Sequence, residues 1–151
     1  MAVRALIIIC MLISLPVLAD DGVWVIDGDT LLVDGKRFRF DGIDAPELSQ
    51  SCVKRDGNGW PCGLKARDSL IEITKGQVEC EISGRDRYGR TLGTCYADGR
   101  DVQAMLVRQG LALAYRQYST AYIADEDVAR KAKRGIWAGT FVAPWDWRAR
   151  H

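Results

Sequence analysis

Histidine is almost missing from this chain of 151 residues: the only one is His151, the last residue. That excludes the hydrolytic schemes that turn on a histidine general base, and it leaves imidazole out of any metal site. No excess of charge of either sign is present, with 21 lysines and arginines against 20 aspartates and glutamates. Sequence-independent binding to a polyanion therefore has no global charge behind it, and an anionic ligand must be met by a local cluster. The four prolines are scattered, and no repeat, linker or low-complexity stretch appears. No apolar run reaches the roughly 20 residues that a membrane-spanning helix requires.

The longest apolar run, Ala5 to Leu15, follows Arg4 and leads into Pro16 and Val17-Leu18-Ala19. A basic start, an apolar middle and a small-residue end form the pattern of a secretory signal peptide. Residues 1–19 are read as that signal, and residues 20–151 as one exported domain, periplasmic or secreted, with no membrane segment after cleavage. The alternative is a membrane anchor, for which the run is short. Cleavage removes Arg4 and no acid, leaving 20 bases against 20 acids. It also removes Cys10, leaving Cys52, Cys62, Cys80 and Cys95.

Four cysteines in an exported chain suggest two disulfides, with three possible connectivities. The pairs expected are Cys52–Cys62 and Cys80–Cys95. For the second, "CEISGRDRYGRTLGTC" reads as a hairpin around Asp86-Arg87-Tyr88-Gly89, which sets residue 80 opposite residue 95. A zinc site is the rival, and neither CxxC spacing nor an internal histidine supports it.

Hydrophobic residues make up 48% of the chain, enough for a packed core. Val23–Ile26, Thr30–Val33 and Arg37–Asp41 read as strands, the last two joined by an Asp34-Gly35 turn. Val78–Ser83 and Thr91–Tyr96 form a second hairpin. Helices are expected over 63–76, with Leu64, Leu70, Ile71 and Ile73 apolar, over 101–110, with Asp101 near the N-cap and Gly110 at C′, and over 120–134. The late basic residues of the third helix suit its dipole and read as a solvated end. Trp145 and Trp147 are expected to pack the tail onto the body. Five strands and three helices give an α+β chain, mainly β, in which a small barrel and other arrangements remain open.

"VIDGDTLLVDGKRFRFDGIDAPE" then stands out, because it alternates like strands yet carries six acids. Turn chemistry accounts for Asp27 and Asp34 better than for Asp29, Asp44 and Glu47. Asp44 and Glu47 flank Pro46, which drives Ala45 out of the helical region where the chain leaves the sheet. Two carboxylates there can turn back toward Asp29. Hard oxygen ligands without imidazole or thiolate suit Ca²⁺. Arg37 and Arg39 share a strand face, so one arginine can be solvated while the other lines the site. A planar guanidinium beside carboxylates and a cation matches a phosphate diester.

The motifs "IDGDT", Arg39, "GIDAPE", "DRYGR", "LVRQGLA" and "ARKAKRGIW", in that order from Val23 to Trp137, resemble the staphylococcal nuclease family. The resemblance implies an OB-type five-stranded β-barrel with three helices. It implies an endonuclease that hydrolyses DNA and RNA with Ca²⁺ and low sequence specificity, favours single strands and acts as a monomer. By the same resemblance Asp29, Asp44 and the Ala45 carbonyl are metal ligands. Glu47 is the general base, Arg39 and Arg90 bind the scissile phosphate, and Tyr88, Tyr115 and Tyr118 contact the nucleotide. The segment "LSQSCVKRDGNGWPC" departs from the family's lysine-bearing loop, offering only Lys54 and Arg55 inside a probable staple of cysteines. A non-catalytic nucleic-acid-binding module and an exported calcium-binding structural domain are the competing readings. The complete set of acids and arginines counts against the first, and the arginines count against the second.

Overall fold

The structure is a computed structural model that describes residues 22–151. The signal segment expected over 1–19 lies outside the described residues. In chain order the elements are β1 (Val23–Asp27), β2 (Thr30–Val33), β3 (Lys36–Phe40), β4 (Ile43–Asp44), β5 (Cys52–Val53), β6 (Gly59–Trp60) and α1 (Cys62–Ile73). They continue with β7 (Val78–Arg85), β8 (Thr91–Ala97), β9 (Arg100–Asp101), α2 (Val102–Arg108), β10 (Leu113–Ala114) and α3 (Ile123–Lys131). A 3₁₀ turn (Gly135–Ala138) and α4 (Pro144–Arg148) complete the chain.

The main sheet runs β1-β2-β3-β8-β7, with β9 on β8. Asp34 and Gly35 both take positive φ, 50° and 73°, as a two-residue hairpin turn between β2 and β3 demands. The β3–β8 pair is parallel and sets Phe40 beside Gly93. A side chain at Gly93 would clash with the Glu81 carbonyl at 2.7 Å and the Phe38 ring at 2.9 Å. The path curls, since β2 comes within 8 Å of β7, Cα to Cα. Among the described residues no strand pairing joins β1 to β7, so the register gives a mixed, mainly sheet α+β fold without the closed barrel expected.

Both expected disulfides are present. Cys80 faces Cys95 across β7–β8 with Cα atoms 4.1 Å apart. The hairpin register is not uniform, however. It shifts between Ile82 and Gly84, so Ser83 is an extra residue on β7. The Ser83 hydroxyl donates to Asp41 at 2.8 Å.

Among the described residues four helices stand where three were expected. The buried side of α1 is Cys62, Gly63, Ala66, Leu70 and Ile73, while Leu64 and Ile71 are exposed. Spacing of i, i+4, i+8 and i+11 defines that face, and the two larger apolar side chains lie off it. Asp101 caps α2 by accepting from the Ala104 amide at 2.9 Å, and Gly110 follows it with φ 68°. α3 begins at Ile123 and ends at Lys131, shorter than 120–134. The fourth helix comes from the tail, where Pro144 starts a turn that pattern reading leaves unassigned.

Leu31, Phe38, Phe40, Leu70, Val102 and Leu106 anchor the main core. A smaller core forms around Cys52, Cys62, Leu113 and Ile136, covered by Trp137, Phe141 and Trp145. The tail is thus stitched to β5, and the amides of Val53 and Thr140 each donate to the other's carbonyl at 2.9 Å.

The Cys80–Cys95 bridge closes a sequence separation of 15. Its loss in Cys80→Ser is expected to cost about 3 kcal/mol of chain-entropy stabilisation. For a chain of this size that lowers the calorimetric melting midpoint by on the order of 10 °C. An unmoved midpoint under oxidising conditions would contradict the bridge's role.

Candidate active site

Asp29 sits in the turn between β1 and β2, where its carbonyl accepts from the Phe40 amide at 2.8 Å. Register pairs Thr30 with Arg39, so the Arg39 guanidinium comes up beside Asp29. Asp44 ends β4 and pairs with Leu113 of β10. These strand ends bring two carboxylates together that are 15 residues apart in the chain. Both are buried, and the side chain of Asp44 is fully so.

One guanidinium bridges them. Arg39 Nη1 donates to Asp29 Oδ1 at 2.6 Å, and Nη2 donates to Asp44 Oδ1 at 2.8 Å. Asp29 Oδ2 accepts from the Ala45 amide at 3.0 Å. Gly28 permits this approach, since a Cβ there would lie 2.8 Å from the Cβ atoms of Ala45 and Ala66. Burial pushes the Asp29 carboxyl above the usual carboxylate range; Arg39 opposes that, and Asp27 and Asp44 add to it. For Arg39, burial pulls down, but Asp29 and Asp44 prevail and hold it more firmly charged.

Glu47 stands three residues beyond Asp44. Its amide donates to Gln50 Oε1 at 3.2 Å, its carbonyl accepts from the Gln50 amide at 2.7 Å, and the buried Gln50 donates through Nε2 to the Val142 carbonyl at 2.7 Å. From the other side, Gly63 of α1 lets the Glu47 carbonyl lie where a Cβ would be. The stapled Cys52–Cys62 loop thereby fixes the backbone that carries Glu47.

A second guanidinium, unanticipated from the sequence, reaches the same acids. Arg148, at the end of α4, donates from Nη2 to Asp44 Oδ2 at 2.8 Å. Its Nη1 is shared between Asp44 Oδ1 at 3.0 Å and Glu47 Oε1 at 2.7 Å. A "WDWRARH" terminus carries no signal that separates this arginine from Arg150. Trp145 and Trp147 were the hint that the segment packs on the body, and Trp145 does so against Tyr115 and the smaller core.

The other expected residues lie elsewhere. Arg90 is in the β7–β8 turn, where Asp86 accepts from its Nε at 2.6 Å and from its amide at 2.9 Å. Tyr88, 68% exposed, projects from that turn between Arg87 and Arg90, whose guanidinium carbons lie 4.8 and 5.4 Å from its ring centre. No contact joins this turn to the carboxylates in the described residues. Tyr115 stacks on Trp145 with centroids 5.1 Å apart and planes 7° apart, and it meets Tyr118 edge-on at 4.8 Å. Beside that stack opens a groove of about 510 Å³, lined by Tyr115, Arg116, Arg130, Trp137, Phe141 and Trp145 among others.

The donor chemistry fits a hard cation. Asp29 and Asp44 are buried oxygen donors on a cradle that needs Gly28, and neither imidazole nor thiolate is near. Three carboxylates, Asp29, Asp44 and Glu47, meet two guanidiniums there. Among the described residues no group of three or more acidic, histidine or cysteine side chains is already gathered as a ligand set. The arginines stand between the acids instead.

Residues 37–139 match the family model described as staphylococcal nuclease homologue. The chain is 37% identical over 156 residues to an uncharacterized endonuclease of Escherichia coli O157:H7, covering 95% of each chain. It is 33% identical over 162 residues to a micrococcal nuclease of Shigella flexneri, covering 93% of this chain and 87% of that one. A succinoglycan biosynthesis protein of Rhizobium meliloti, ExoI, is 37% identical over 117 residues, and this chain spans 61% of its length.

A methyl group at Gly63 would meet the Glu47 carbonyl oxygen at 1.7 Å. Gly63→Ala is therefore expected to cost about 1–3 kcal/mol of stability through overpacking and to displace the Glu47 backbone. Chemical denaturation measures the first, and a melting profile identical to the parent's would refute the packing.

Proposed function

The chain belongs to the staphylococcal nuclease family, and we propose that it is an exported calcium-dependent endonuclease. On this reading it hydrolyses phosphodiester bonds of DNA and RNA with low sequence specificity. The mature protein, residues 20–151, is a single OB-type domain, monomeric, in the periplasm or the medium. Two disulfides support export, and no helix of the described residues is long and apolar enough to cross a membrane. The endonuclease and micrococcal nuclease relatives support the reaction class.

The observation that carries the reading is the pair of buried carboxylates, Asp29 and Asp44, bridged by Arg39 and adjoined by Glu47. Asp29, Asp44 and the Ala45 carbonyl would hold calcium, which when bound supplies charge stabilisation and a more acidic water. Arg39 can turn its fork to two non-bridging phosphate oxygens, where charge grows in the transition state. Glu47 takes the proton of the attacking water as its oxygen bonds to phosphorus. The P–O bond to the leaving nucleoside breaks, and the leaving oxygen takes a proton from solvent. Arg90 would close on the same phosphate only if its side chain leaves Asp86.

Binding of the strand draws on aromatic faces. Tyr88 and Tyr118, 68% and 63% exposed, offer open rings, while Tyr115 has one face on Trp145. The groove with Arg116 and Arg130 continues that surface. Stacking tolerates any base and needs it unpaired, which favours single strands.

Mature protein digesting single-stranded DNA with added calcium, and failing once a calcium-specific chelator is present, is the expected result. Inactivity under both conditions, in a folded and oxidised protein, would leave a binding module instead. Glu47→Gln is expected to keep nucleic-acid binding and to lower kcat about 10²–10⁴-fold. Unchanged single-turnover rates would remove Glu47 from the chemistry.

A further inference from the structure

Arg148 lies outside residues 37–139, the segment matched to the family, yet it makes more contacts to the candidate site's acids than Arg39 does. We propose that Arg148 is an exchangeable counter-ion of the active site: it holds Asp44 and Glu47 until a cation takes the charge of Asp44, and its freed guanidinium then binds the substrate phosphate. The phosphate half of this assignment rests on the nuclease reading; the counter-ion half stands on geometry alone.

Asp44 has no solvent-exposed side-chain surface, and a buried carboxylate without compensation is strongly destabilising. It accepts three N–H bonds, one from Arg39 and two from Arg148. The two arginines are held differently. The Arg39 side chain is 14% exposed and the Arg148 side chain 36%. The Glu47 end of Arg148 is solvent-screened, whereas its two bonds to Asp44 reach into the buried site. Arg148 is the more exposed of the two arginines, and its head lies at the rim of the site, where solvent can take it up when a cation takes Asp44.

Its anchorage explains why release leaves it in place. The tail is pinned at Thr140 to Val53, at Val142 to Gln50, and at Trp145 to Tyr115. Three fixed points precede one flexible side chain, so the guanidinium can swing without the helix leaving. A planar fork that grips a carboxylate by two parallel bonds matches two phosphate oxygens equally well. Arg90, by contrast, is engaged with Asp86 in its own turn.

Calcium binding by calorimetry on the mature oxidised protein, and cleavage of a single-stranded oligodeoxynucleotide, test the proposal on Arg148→Ala. The variant is expected to bind calcium about tenfold more tightly, because one charge-assisted competitor for Asp44 is gone. Its kcat/KM is expected to fall about 100-fold, and added guanidinium ion to restore part of it. An arginine that merely holds the fold would weaken both. Calcium affinity that is equal, weaker or absent in both proteins overturns the counter-ion; unchanged kcat/KM overturns the phosphate role. Arg148→Lys keeps the charge and loses the fork, and serves if the alanine variant does not fold; parent-like values for both readouts overturn the proposal equally. A parent that binds calcium but cleaves nothing ends the nuclease reading, while the calcium affinities still decide the counter-ion.

Discussion

Two carboxylates buried side by side are stripped of water and disfavour each other's charge, and at the strand ends around Asp29 and Asp44 the positive charge set between them offsets that cost. Arg39 supplies it from β3, the one strand whose register sets a guanidinium against the turn that carries Asp29. Burial still pushes Asp29 upward despite that arginine. The site is thus built with charge compensation that is adequate for folding and short of complete. Carboxylates crowded in a low-dielectric cradle have the donor chemistry that fits a hard cation.

Around this pair the chain is rigid for reasons that are local and separable. Gly28 and Gly63 are glycines because neighbouring atoms already occupy the space of their Cβ. Glu126, buried in α3, accepts from the Ala114 amide at 3.1 Å and so holds β10 against β4, which bears Asp44. Gln50 binds the Glu47 backbone on one side and the tail on the other. The disulfide at Cys52–Cys62 closes the remaining loop. The segment expected to carry a Cys52–Cys62 staple carries it, and the tail that it supports brings Arg148 to the site.

Features that span few residues were legible beforehand. The Asp34-Gly35 turn, the Asp101 cap, Gly110 after α2 and the facing cysteines of β7–β8 each depend on contacts within about fifteen residues of chain. The extra residue at Ser83 was not, because a bulge leaves the alternation of a strand intact on either side of it. The apolar residues marked α1 as a helix without settling its buried face, because Leu64 and Ile71 outweigh Ala66 in hydrophobicity but lie on the exposed side. In the site, Arg39 bridges Asp29 and Asp44, Arg148 joins Asp44 to Glu47, Arg90 pairs with Asp86 in its own turn, and Tyr115 is stacked on Trp145.

The sequence by itself determined which residue types are available: acids and arginines without histidine, paired cysteines, turns at Asp-Gly, and helices where apolar residues recur at helical spacing. Those follow from side-chain chemistry and from periodicities of two and 3.6, which are local. Only tertiary structure decided which charges meet. Arg148 lies 104 residues from Asp44 in the chain, and no periodicity reaches across that distance. The contact exists because the tail folds back over a second small core, and the energy of that packing depends on every element that forms it.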